Sequence, residues 1–210
     1  METPPPCPAP DDVTCVTELE ELYGAPGVQS LRKEADRVTP EYRELVEASP
    51  FVVLATSGPG GLDCSPRGGE PGFVRVVDPH TLWLPDSSGN NRLDSMHNLL
   101  VDPRISLLFL IPGVGETLRV VGTARLTRAP EVLGSFGEPG RPPAVVLVIT
   151  VESVYFQCPK AIVRSRLWSP ERFRDRRTLP STWAVLAGVQ RSGASVAEDA
   201  PVAQDAKAAR

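Results

Sequence analysis

The alternation between Thr117 and Arg128 constrains the fold more than any other stretch. Leu118, Val120, Gly122, Ala124 and Leu126 alternate with Arg119, Val121, Thr123 and Arg125. Successive side chains of a strand point to opposite faces, so this pattern predicts a half-buried antiparallel strand. Arg104–Leu110 precedes it across Pro112-Gly-Val-Gly and reads as its neighbour. Five more β-forming runs stand at Phe51–Thr56, Leu62–Pro66, Phe73–Val77, Thr81–Leu84 and Ala144–Val151, the last continuing toward Phe156. Ser57-Gly-Pro-Gly-Gly and Asp78-Pro-His are turns between them. Six or seven short strands, with helices at the ends and one in the middle, predict a mainly β fold built as a small antiparallel barrel.

The helices have their own signals. Val16–Tyr23 suits one or two turns, stopped by Gly24-Ala-Pro. Apolar residues at 28, 31, 35 and 38 have helical spacing, which predicts a helix over Val28–Val38. Thr39-Pro-Glu then supplies an N-cap, a first-turn proline and a first-turn acid for a helix that ends at Ser49-Pro50. A middle helix from about Asn91 to Leu100 carries Leu93, Met96 and Leu100 on one face. Further helices are expected from Pro159 to about Trp168, at Ser169-Pro-Glu and over Pro180–Val189, while Ala129–Pro143 is a Gly/Pro-rich excursion.

At 210 residues the chain suits one domain. That domain is expected over residues 26–189, with a mostly disordered arm at 1–25 and a disordered tail at 190–210. Net charge is −4, which gives no global case for nucleic-acid binding. The charge is uneven: residues 1–50 hold 11 acidic and 4 basic side chains, and residues 160–177 hold 7 basic and 2 acidic. The second cluster is a candidate anion site. Four cysteines without a CxxC pair suit a reducing cytoplasm, and no apolar run approaches the ~18 residues of a membrane span. His80 and His97 form no metal-ligand pattern, and no carboxylate pair is spaced for hydrolysis.

Three stretches carry chemistry. In Ser87-Ser-Gly-Asn-Asn-Arg-Leu-Asp-Ser, Asn90 or Asn91 can cap a helix whose free N–H groups attract anions, Arg92 adds a planar fork, and Ser95 adds a hydroxyl. That is a phosphate pocket, unless it is only a capped surface helix. In Cys64-Ser-Pro-Arg-Gly-Gly, glycine admits a ligand close to the backbone and Arg67 brings charge; the plainer alternative is a tight turn. Cys64 has no identifiable His or Asn partner and is expected to be buried. In Cys158-Pro-Lys-Ala-Ile-Val-Arg-Ser-Arg-Leu-Trp, a helix would put Lys160, Arg164 and Trp168 on one face, either gripping a phosphate and a flat ring or lying as a solvated basic face. Anion grips without an acid–base set suit a cofactor that carries the chemistry itself.

Taken together, these motifs resemble the flavoproteins related to pyridoxamine 5′-phosphate oxidase. The resemblance is to a bacterial FMN-dependent subgroup with SPRGG-x-PGFV, LPD-x-x-GN-x-R-x-DS, DP-x-x-x-LLFLIPG and LRV-x-G-x-A, here Ser65–Val74, Leu84–Ser95, Asp102–Gly113 and Leu118–Ala124. The run Cys158–Trp168 matches a further signature. The resemblance implies a split-barrel homodimer with FMN in clefts at the subunit interface, acting as an oxidoreductase on a small molecule. Ser65, Arg67 and Gly68 would lie beside the ring or phosphate. Asp86, Asn91, Arg92 and Ser95 would hold the ribityl chain and phosphate. Lys160, Arg164 and Trp168 would reach the same FMN from the partner subunit. No catalytic residue, metal, nucleic acid or membrane is implied. Deazaflavin or haem in place of FMN, or flavin binding without turnover, are the alternatives on the same fold. The chain lacks the C-terminal tryptophan and arginine–histidine pattern by which true oxidases grip pyridoxamine phosphate, so a different substrate is expected.

Overall fold

The structure is a computed structural model, described here for residues 12–86, 89, 91–136 and 142–193. Residues up to Trp168 form one compact unit and those from Ser169 onward a second. Of the arm expected at 1–25 and the tail expected at 190–210, residues 1–11 and 194–210 lie outside the described residues, as does the cap expected at Asn90.

The first unit holds seven strands: β1 (Phe51–Gly58), β2 (Gly61–Gly68), β3 (Arg75–Asp78), β4 (Thr81–Pro85), β5 (Arg104–Leu110), β6 (Thr117–Thr127) and β7 (Val146–Gln157). They pair in the order β2-β1-β5-β6-β7-β4-β3, and every pairing is antiparallel. This is the mainly β, split-barrel architecture expected. Helices α1 (Val16–Tyr23), α2 (Val28–Arg32), α3 (Pro40–Ala48), α4 (Asp94–Val101), α5 (Pro130–Leu133) and α6 (Lys160–Ser165) flank the sheet.

One sheet face makes the core. Val52 and Leu54 of β1, Leu107 and Phe109 of β5, Leu118 and Val120 of β6 and Ile149 of β7 are buried there, under Val46 of α3 and Met96 and Leu99 of α4. Burying such side chains contributes about 1.5–3 kcal/mol each before the entropy of ordering them is offset. Thr39 caps α3 by accepting from the Tyr42 N–H, as its sequence foretold. In the Gly/Pro-rich excursion, Val132 and Phe136 form a second small cluster with Val146, and the Arg75 guanidinium lies 4.1 Å from the Phe136 ring centre.

Several helices differ from their periodicity. α2 stops at Arg32, because Ala35 bridges Val154 of β7 with bonds of 3.0 and 2.9 Å, and the Val38 N–H donates to Pro79 O. The backbone is pulled straight there, and the apolar spacing at 35 and 38 serves the sheet. α4 begins at Asp94, and its buried face is Ser95, Met96, Asn98 and Leu99, while Leu93 and Leu100 are exposed. α6 ends at Ser165, where Arg166 takes a left-handed conformation with φ 52°. The Arg166 and Leu167 N–H groups donate to Val163 O and Ile162 O, a Schellman stop. Trp168 therefore lies beyond the helix and does not continue a stripe with Lys160 and Arg164.

The second unit contains single helical turns at Pro170–Arg172 and Arg176–Thr178 and the helix α7 (Thr182–Ser192). Ser181 caps α7 by accepting from the Ala184 N–H.

Candidate functional site

Strand alternation selects the wall of the site. Asp63, Ser65 and Arg67 are two residues apart on β2 and pair across the ladder with Thr56, Leu54 and Val52. Residues opposite one another in an antiparallel pair share a face. Those three partners are buried, so Asp63, Ser65 and Arg67 stand on the core side, where α4 is docked. Being on the sheet edge, they are half-buried rather than covered.

Docking of α4 is specific. Asn98 is buried, and its Nδ2 donates to Thr56 Oγ1 at 3.2 Å and to Gly61 O at 3.3 Å. The helix comes so close to the β1–β2 hairpin that a Cβ on Gly58 would lie 2.3 Å from Asn98 Oδ1. This contact sets Ser95, one turn earlier, against β2.

A polar cluster results. Ser95 Oγ donates to Asp63 Oδ2, and Ser65 Oγ donates to the same carboxylate oxygen at 3.3 Å. The two hydroxyl oxygens are 2.9 Å apart. Arg67 Nη1 donates to Ser65 Oγ at 3.0 Å and to Pro66 O at 2.9 Å, while its Nε lies 3.8 Å from Asp86 Oδ1 at the end of β4. Burial pushes the Asp86 carboxyl above its ordinary range, with Arg67 pulling the other way. Arg92 pairs with Asp94 at the start of α4.

These groups line one open cleft of about 760 Å³. Ser65, Arg67, Gly68, Asp86, Asn91, Arg92 and Ser95 all border it. Phe73, Pro85, Leu93 and Ala144 give it apolar surface. The wall mixes this apolar surface with convergent polar and charged side chains, and its volume would admit a small molecule. Asn91 has φ 59° and does not cap α4; the N-cap position is Leu93, whose side chain carries no oxygen. No side-chain cap closes the first turn of α4.

Lys160, Arg164 and Trp168 do not border this cleft. Arg164 Nε donates to Lys160 O, and the Trp168 indole donates to Val114 O at 2.8 Å, pinning it to the β5–β6 connection. Cys64 is exposed rather than buried, because on the β2 edge it points away from the core. His97 is exposed on α4, and no group of three metal-ligating side chains occurs among the described residues. Asp63 and Phe73 were missed in the sequence reading. Asp63 had a usable signal, since it lies two positions before Ser65 on an alternating strand. Phe73 joins the site only through the turn after β2.

The sequence model of the pyridoxamine 5′-phosphate oxidase family matches residues 38–158, more than half of the chain. The chain belongs to the pyridoxamine 5′-phosphate oxidase family. The matched segment contains all seven strands and α4. No curated protein matches the chain. Among solved structures, HupZ of Group A Streptococcus is 21% identical with a TM-score of 0.44, covering 58% of this chain and 94% of its own. A candidate pyridoxamine 5′-phosphate oxidase from Lactobacillus delbrueckii is 23% identical, with a TM-score of 0.45 and coverages of 58% and 95%. A Clostridium acetobutylicum protein related to general stress protein 26 is 19% identical, with a TM-score of 0.44 and coverages of 56% and 86%.

Proposed function

We propose that this family member is an FMN-dependent oxidoreductase that acts as a homodimer on a small-molecule substrate. One observation carries the reading. Three segments distant in sequence, 63–68, 85–86 and 91–95, line the same cleft with two guanidinium groups, two hydroxyls and an uncapped helix start. Such a set fits a phosphorylated, hydroxylated ligand with a flat ring. Arg92, Ser95 and the first amides of α4 would hold the phosphate. Asp63 and Asp86 would accept from the ribityl hydroxyls, with Asn91 beside them. Phe73, Pro85 and Leu93 offer apolar surface to the ring, and Ser65, Arg67 and Gly68 would border its polar edge. Bound FMN would supply transfer of a hydride or of single electrons at its N5.

The second sheet face supports assembly. Phe51 and Val53 of β1 pair with Leu110 and Leu108 of β5, and Val121 of β6 stands near them, all only partly covered. A face of this kind suits a second copy of the chain. Lys160, Arg164 and Trp168 would then reach the flavin of the partner subunit. The absent arginine–histidine pattern argues for a substrate other than pyridoxamine phosphate.

The test is an absorbance spectrum of the purified protein, with mass identification of whatever denaturation releases. Flavin bands and released FMN are expected, with bleaching when a reductant is added. A colourless protein that gains no flavin bands after incubation with FMN would overturn the reading.

A further inference from the structure

A second hollow of about 450 Å³ adjoins the cleft. It opens between the β1–β2 turn and α4, and Asp63, Arg92 and Asp94 border both spaces. Its own walls include Pro59, Gly60, Leu62, His97, Asn98 and Val101. The shared wall is the start of α4, where the flavin reading puts the phosphate. The hollow therefore meets the cleft where that reading puts the phosphate.

Its chemistry narrows the occupant. Among the described residues, Arg92 is its only arginine or lysine, and that side chain is on the shared wall. A second terminal phosphate has no separate partner there. Asp63 and Asp94 are acceptors suited to sugar hydroxyls. Leu62 and Val101 are exposed aliphatic side chains, and the imidazole of His97 is a flat surface beside them. Together they suit a heteroaromatic ring carried on a ribose.

We propose that this hollow receives the adenosine end of a flavin dinucleotide, so that the site takes FAD as well as FMN. The inference rests on the flavin reading above. Its pyrophosphate would lie at Arg92 and the first turn of α4, its ribose diol at Asp94, and its adenine against His97.

The experiment is a fluorescence titration of the flavin-free full chain with FMN and with FAD. The wild type is compared with Gly60→Trp and His97→Ala. A Cβ on Gly60 meets open space, and neither side chain borders the main cleft, so both variants are expected to fold and to keep FMN binding. Wild type is expected to bind FAD at least as tightly as FMN. Gly60→Trp fills the hollow and should weaken FAD by about tenfold or more while FMN changes less than about twofold. His97→Ala should weaken FAD alone, by about threefold to tenfold. Tight FMN binding with no FAD binding, or equal losses for both flavins in Gly60→Trp, would overturn the inference and leave the flavin reading standing. Failure of both flavins to bind wild type would overturn the two together.

Discussion

Asp63 accepts from two serines that come from different elements, a role its place on an alternating strand did not show. Ser65, Arg67, Arg92 and Ser95 were legible because hydroxyls, guanidinium groups and glycine turns have obvious uses near an anion. Nothing local marks a carboxylate as their organiser; that follows only once α4 is docked on β2. Asp86 belongs to the same set and yields a pH prediction. Its carboxyl is raised by burial, so its favourable contribution to folding is complete below the ordinary carboxylate range and is lost as pH rises through the raised value. Asp86→Asn mimics the neutral form. Ligand-free Asp86→Asn is therefore expected to melt higher than wild type at neutral pH and at the same temperature near pH 3, where the native carboxyl is itself neutral. Equal Tm values at neutral pH would contradict this.

At the scale of elements, strands were easier to read than helices. β5 matched its expected bounds, and β6 differed by one residue, because alternation survives whatever packs against a strand. α2 and α6 fell short of their periodicity for tertiary reasons: the Ala35–Val154 bridge straightens one, and a left-handed arginine ends the other. The placement of α4 depends on Gly58. Its Cβ would meet the Asn98 amide and lie 2.9 Å from the Asn98 Cα, which cannot move without the helix. Gly58→Ala should cost about 2 kcal/mol in a urea titration and also weaken FMN binding, since Ser95 moves with α4. Gly122 offers a control away from the site. A Cβ there would sit 1.9 Å from Thr150 O, beside the irregularity in the β6–β7 ladder. Gly122→Ala should cost about 3 kcal/mol or more, by distorting the sheet itself.

For the whole molecule, the seven-stranded architecture was legible in the spacing of strands and turns, and the matched family spans the same elements. Which sheet face stays half-covered was not legible, because β1 and β5 are apolar on both sides and alternation cannot tell a core face from an interface. The homodimer reading predicts a dimer by light scattering. Phe51→Glu, at the exposed end of β1, should shift it toward monomer with little change in the Tm of the separate chain. A wild-type monomer at micromolar concentration would contradict that reading. The central claim is that Arg92 and the start of α4 hold the phosphate of a flavin. The most direct measurement is the affinity of flavin-free protein for FMN and for riboflavin, in wild type and in Arg92→Ala. Wild type is expected to prefer FMN by about tenfold or more, and Arg92→Ala to lose most of that preference while binding riboflavin unchanged. Equal wild-type affinities for the two flavins would contradict the account.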